Sequence, residues 1–287
     1  MSGFALSSSL VGTEFEPSTF AWTQRDCVLY ALGIGARPDE ELDFLYERRG
    51  PVTFPTYAVI PGMGVIRGLG KSVKLDFTRL LHGEQAVTRY RSLPAFGELT
   101  LEGRICEVWD KGNAAVIGVE GTASDEDGPL FSVYSSLFFI GAGGFGGERG
   151  PSSRGVNTPP DREPDVVVEL DTRAEQAAIY RLSGDTNPMH IDPEFATAAG
   201  FEGVFLHGLC TYGFVGRAVL KGLCDGDVEQ FGSLRGRFAD QVWPGDRIIT
   251  KMWLGDDGTA ILRAETQTGA IVFNHASASA IVGRSDP

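Results

Sequence analysis

The chain has 287 residues, 42% of them hydrophobic and 18 of them Phe, with a net charge of −13. That apolar content builds a real core and excludes wholesale disorder, and the length admits one large domain or two of roughly 140 residues. The acidity excludes nucleic acid and anionic membrane as partners, because both require a basic face.

No apolar run approaches the roughly 18 to 20 residues of a membrane span. The opening "MSGFALSSSLVGTEFEPS" lacks the basic and long apolar regions of a signal peptide, and the closing "GRSDP" is not a peroxisomal address. Cys27, Cys106, Cys210 and Cys224 are scattered without metal-ligand spacing and read as reduced thiols. A soluble cytoplasmic protein is expected, with no metal or cofactor.

In chain order, "TQRDCVLYALGIGA" (23–36) comes first, followed by "PTYAVIPGMGVIRGLG" (55–70), an apolar segment of helical length that Pro61 should kink or end. Three β-rich segments follow: "LTLEGRICEVWD" (99–110), "AAVIGVEGTA" (114–123) and "LFSVYSSLFFI" (130–140). The Gly/Pro/Ser-rich stretch 141–165 reads as a linker. Gly141, Gly143 and Gly146 satisfy G-x-G-x-x-G there, but Pro151, Pro159 and Pro160 follow where a dinucleotide site needs a helix.

The second half repeats the first. "RAEQAAIYRLSGDT" (173–186) aligns with residues 23–36, setting Tyr180 on Tyr30 and Leu182 on Leu32, and later Gly245 pairs with Gly97. "HGLCTYGFVGRAVLKGL" (207–223) is apolar on nearly all sides, so it should be a buried helix. Three more β-rich segments, 247–256, 259–268 and 270–282, complete the half. One buried helix wrapped by an antiparallel sheet, twice over, is an α+β double hot-dog. The expected division is an N-terminal repeat (1–140), a linker (141–165) and a C-terminal repeat (166–287).

Between the helices lies "YRLSGDTNPMH" (180–190). Thr172 with Glu175 forms a capping-box pattern, so a helix should start there, with Gly184 as its left-handed stop. Asp192-Pro193 should cap a second short helix, "PEFATAAG", ended by Gly200. Asp and Asn are common turn residues, and the turn alone could explain Asp185 and Asn187. The repeat argues otherwise, because Gly35 stands opposite Asp185 and Arg37 opposite Asn187. Had the turn required these side chains, both copies would have kept them. Asp185 and His190 could converge on one water, and the N–H groups at the start of the buried helix, near Gly208, suit a developing oxyanion.

These residues resemble the MaoC-like, or (R)-specific type 2 enoyl-CoA hydratase, family. "YRLSGDTNPMHIDPEFA" matches its signature, "LHGLCTYG" follows at the expected distance, and the likeness covers nearly the whole chain. The resemblance implies reversible hydration of a trans-2-enoyl thioester to a (3R)-hydroxyacyl thioester by a homodimer. It implies Asp185 and His190 as the catalytic acid and imidazole, Asn187 as the orienting amide and Gly208 N–H as the oxyanion donor. The N-terminal repeat would hold the acyl chain, with Tyr57, Ile60 and Met63 lining a tunnel beside an interrupted helix. His207 is assigned a helix-capping place next to the substrate. His82 and His275 have no nameable partner, while Arg181, Arg217, Lys221, Arg235 and Arg237 are cations available to the CoA pyrophosphate. An acyl-CoA thioesterase, a dehydratase acting on acyl carrier protein and a non-catalytic acyl-CoA binder are the rival readings.

Overall fold

The computed structural model describes residues 6–152 and 154–281. Before residue 141 the chain forms β1 (Ser18–Trp22), α1 (Gln24–Gly33), α2 (Val59–Ser72), β2 (Leu80–Arg89), β3 (Gly97–Asp110), β4 (Ala114–Asp125) and β5 (Gly128–Ile140). After residue 165 come β6 (Val166–Asp171), α3 (Gln176–Tyr180), α4 (Pro193–Ala198), α5 (Gly208–Leu223), β7 (Phe231–Phe238), β8 (Arg247–Leu254), β9 (Thr259–Thr266) and β10 (Ile271–Ala280). All pairings are antiparallel, in one sheet of order β1-β3-β4-β5-β2-β7-β10-β9-β8-β6. Read outward from its centre, the order is the same in both directions, strand for strand. The sheet is thus two hot-dog units joined where β2 meets β7.

That seam was not legible in the sequence. β2 carries Glu84 and Gln85, and β7 carries Arg235 and Arg237, so neither shows the apolar alternation of a half-buried strand. The charges answer one another across the join. Buried Glu84 takes the guanidinium of Arg235, and its other oxygen accepts from Arg237 Nε at 3.0 Å.

In α5, every residue from Leu209 to Leu220 is buried, and strands β2, β6, β7, β8 and β10 pack against it. A Cβ on Gly213 would lie 2.3 Å from Ile34 Cγ2, so the bare backbone here lets the N-terminal half approach. α2 runs unbroken from Val59 to Ser72, against the expectation that Pro61 would interrupt it. Pro61 falls in the first turn, after a 3-10 turn over Pro55–Ala58, where its missing N–H deprives no intrahelical acceptor. At two of its glycines α2 is closely approached by the sheet. Cβ atoms on Gly62 and Gly64 would stand 2.9 Å from Val133 Cγ1 and 2.6 Å from Leu101 Cδ2.

The repeat-related helices α1 and α3 pack on each other, bringing Tyr30 and Tyr180 to 6.1 Å between ring centroids. Gln176 stitches them, its Nε2 donating to the carbonyls of Leu32 and Gly33 at 2.9 and 2.6 Å. α3 starts at Gln176 and not near Thr172 as the capping-box pattern suggested. The Thr172 hydroxyl instead donates to Asp246 O at 2.7 Å and accepts from Gly245 N at 2.9 Å, tying the segment to the turn before β8.

The glycine-rich start of the 141–165 stretch cradles an anion after all. N–H groups of Gly112, Gly144 and Gly146 each donate to the Asp110 carboxylate at 2.8 Å. These bonds, Gly144's first, hold that carboxyl below its ordinary range. The loop's donors serve the protein's own side chain, and the next helix begins only at Gln176.

Candidate active site

The site is assembled where the loop after α3 meets the start of α5. Gly184, with φ of +123°, turns the chain out of a 3-10 turn over Arg181–Ser183. The loop then folds on its own side chains. Asp185 Oδ1 accepts from Asn187 N at 3.2 Å, and Asn187 Oδ1 accepts from Met189 N at 3.1 Å, capping the 3-10 turn Pro188–His190. Asn187 therefore holds the turn that presents His190, and among the described residues its side chain makes no hydrogen bond to the imidazole. Asp192 accepts from Glu194 N and Phe195 N to cap α4, which anchors the loop's far end.

His190 is buried, with Nδ1 2.9 Å from Phe205 O. A carbonyl only accepts, so Nδ1 carries the proton and the basic lone pair of the neutral ring sits on Nε2. Phe205 fixes the ring edge-on, with centroids 4.9 Å apart. His207, at the N-cap of α5, lies against His190 with centroids 3.9 Å apart and the rings tilted by 35°, and its Nε2 donates to the Asp185 carbonyl at 3.1 Å. Its side chain does not cap the helix, as the sequence had suggested; it braces the Asp185 backbone, and its Nδ1 is buried without a partner.

The carboxylate of Asp185 and ring nitrogens of His190 and His207 all lie within 4.8 Å of one another. Such a trio could ligate a metal. One nitrogen of each ring is committed to a carbonyl, His190 Nδ1 to Phe205 and His207 Nε2 to Asp185, which leaves His190 Nε2 and His207 Nδ1 beside the carboxylate. Gly208 opens α5, where its N–H has no intrahelical acceptor and faces the positive end of a 16-residue helix. Phe238 packs over it, 3.4 Å from where a Cβ would sit.

The other expected site residues lie apart from this cluster. Tyr57 and Ile60 are buried in the core and Met63 is half-buried. A file of rings connects Tyr57 to the site, Tyr57–Tyr30 at 5.4 Å, Tyr30–Tyr180 at 6.1 Å and Tyr180–His207 at 5.1 Å. Two cavities, of about 700 and 200 Å³, are lined by residues such as Tyr134 and Arg235, and Arg89 and Leu93. Neither is lined by Tyr57, Ile60, Met63 or Asp185. The titratable cluster, and not these two cavities, marks the chemistry.

The structure also sorts the five cations. Arg217 is buried against Glu41, Lys221 pairs with Glu40 at 2.6 Å, and Arg235 and Arg237 share Glu84. Among the described residues Arg181 alone of the five has no carboxylate partner, and its charge acts on His207. The sequence left His82 unassigned. It approaches from β2, its ring 5.2 Å from that of Phe238, and the Asp185 charge acts on it.

Burial lowers the pKa of all three imidazoles. His207 is pushed down to about 3, with the charge of His190 adding to desolvation, His82 to about 4, and His190 below its ordinary value. In the folded protein these rings are neutral at pH 7, while in the unfolded chain they titrate near 6.5. The unfolded state therefore binds more protons below that pH, so their contribution is complete above about pH 6.5 and is lost as pH falls toward the folded values. His207 and His82 should each remove up to ~1.4 kcal/mol of stability per pH unit over that interval. We expect Tm to fall as pH drops below about 6.5, with the slope reduced in His207→Gln. A Tm independent of pH across this range would contradict the assignment.

Residues 155–274 match the family described as MaoC like domain, and residues 20–141 match the MFE-2 hydratase 2 N-terminal domain. The chain is 40% identical over 271 residues to 3-hydroxyacyl-thioester dehydratase Y of Mycobacterium tuberculosis, covering 91% of this chain and 92% of that one. It is 36% identical over 265 residues to a probable enoyl-CoA hydratase 2 of Dictyostelium discoideum, covering 90% of each. Peroxisomal multifunctional enzyme type 2 of Mus musculus is 37% identical over 278 residues, but the chain spans only 37% of its length. A crystal structure of a MaoC-like dehydratase from Phytophthora capsici superposes with TM-score 0.85 at 31% identity, covering 98% of this chain and all of that one.

Proposed function

The chain belongs to the MaoC-like family, and from that premise we propose that it hydrates trans-2-enoyl-CoA to (3R)-3-hydroxyacyl-CoA and catalyses the reverse dehydration. The observation that carries the reading is the meeting of Asp185, His190 and the free N–H end of α5 at Gly208. The relatives' names, hydratase 2 and thioester dehydratase, support the same chemistry.

Addition of water to the β-carbon requires the thioester carbonyl to accept charge as an enolate, which Gly208 N–H and the helix end stabilise. His190 Nε2 takes a proton from a water held between it and the Asp185 carboxyl, and the oxygen bonds to the β-carbon. A proton returns from the same pair to the α-carbon, on the same face, which gives syn addition. Arg181, unpaired beside the site, serves the CoA phosphates. The same reading takes the protein as a homodimer of the reducing cytoplasm, supported by four cysteines that are all free thiols. No helix among the described residues is long and apolar enough to cross a membrane.

Incubation with a trans-2-enoyl-CoA should consume the enoyl absorbance without releasing thiol and yield the (3R) product on chiral analysis. Thiol release in step with substrate loss would instead make the protein a thioesterase and overturn the reading.

A further inference from the structure

The N-terminal half lacks the Asp–Asn–His motif, yet it sends one imidazole to the site. In a regular strand, residues 82 and 84 would share a face. β2 is irregular between His82 and Glu84, and this separates them. Glu84 turns to Arg235 and Arg237 on one face of the seam, whereas His82 turns to Phe238 on the other. Phe238 in turn lies against Gly208, so the bulge delivers His82 to the rim of the oxyanion site.

Although the residue as a whole is half-buried, His82 Nε2 is inaccessible to solvent and has no hydrogen-bond partner. An unsatisfied buried nitrogen is costly and calls for a reason. Beyond desolvation, the Glu84 backbone, the Asp185 charge and the Gln85 side chain act on this ring, and Asp185 is the one charge among them. The Asp185 carboxyl, for its part, has one hydrogen bond within the protein, from Asn187 N to Oδ1, which leaves its second oxygen without a partner among the described residues.

We propose that His82 is a positioning residue of the active site, its buried Nε2 engaging the Asp185 carboxyl once substrate is bound and holding it toward His190. The inference rests on the hydratase reading above. It makes the site composite, with the motif from one repeat and its brace from the other.

His82→Phe keeps the ring packing against Phe238 and removes the nitrogen, while His82→Gln keeps a polar group able to hydrogen-bond. Displacing a reacting group costs about 10²-fold, so His82→Phe should lower kcat by roughly that factor with KM within about threefold, and His82→Gln should recover kcat to within about tenfold of the unmodified protein. In an Asp185→Asn background, His82→Phe should cost little more, because both act on one carboxyl. Unchanged kcat in His82→Phe, a Gln variant as impaired as the Phe variant, or an effect confined to KM would each overturn the proposal. If Asp185→Asn is inactive while His82→Phe is not impaired, only this inference fails. An active Asp185→Asn would sink the hydratase reading itself.

Discussion

Asp185→Asn is expected to lower kcat for enoyl-CoA hydration by ~10²- to 10⁴-fold, the usual contribution of a positioned proton-transfer group. The substitution is close to isosteric, and the amide oxygen can still accept from Asn187 N as Oδ1 does now. His207 bonds to the Asp185 backbone and not to its side chain, so that brace survives as well. Tm should therefore stay near the parent value, separating lost chemistry from lost fold. His190→Ala should fall to a similar rate, and the double variant should be hardly slower than either, because residues acting as a unit are not additive. Hydration within about tenfold of the parent in Asp185→Asn would remove the carboxyl from the mechanism.

The largest structural effect is expected from Glu41→Gln. Arg217 is 1% and Glu41 7% exposed. Arg217 Nε donates to Glu41 Oε1 at 3.1 Å, a second guanidinium nitrogen meets the other oxygen, and Nη1 donates to Ile34 O at 2.8 Å. This pair joins α5 to the N-terminal half at the centre of the molecule. Removing one partner strands a charge in the core and costs ~3–5 kcal/mol. For a protein of this size that should lower Tm by roughly 10 °C. Replacing both residues together, as in Glu41→Leu with Arg217→Met, should recover much of the loss, because a buried ion pair is worth little more than well-packed apolar groups. A Tm unchanged in Glu41→Gln would show that water reaches the guanidinium.

Arg217 illustrates what the sequence could and could not say. Its place on an otherwise apolar helix was visible, and it stood among candidates for CoA, but Glu41 lies in another repeat and no local pattern links them. The strands β3, β4, β5, β8, β9 and β10 were legible because their apolar runs are long and bounded by turn residues. β2 and β7 were not, since ion pairing of a buried Glu84 with two exposed arginines replaces apolar alternation where they meet. The Asp185–His190 loop stood out because one repeat carries it and the other does not. His82 gave no such signal: what sets its ring against Phe238, beside Gly208, is a strand irregularity and a pairing between halves, neither of which leaves a mark in the residues around it. The glycines of α2 suggested room for a ligand when they in fact admit Val133 and Leu101. A glycine reports close approach, but its neighbour has to be seen to know what approaches.

The pairing of β2 with β7 has a consequence for how the protein behaves in dilute solution. Either half alone would present that strand as an open edge, ready to pair with whatever strand came by. Here the complementary edge is supplied by the same molecule, so the encounter is unimolecular and its extent does not depend on how much protein is present. A two-chain version of this sheet would come apart on dilution and take its shared site with it. In the fused chain, both contributors to the site are delivered together, in equal number, at any concentration.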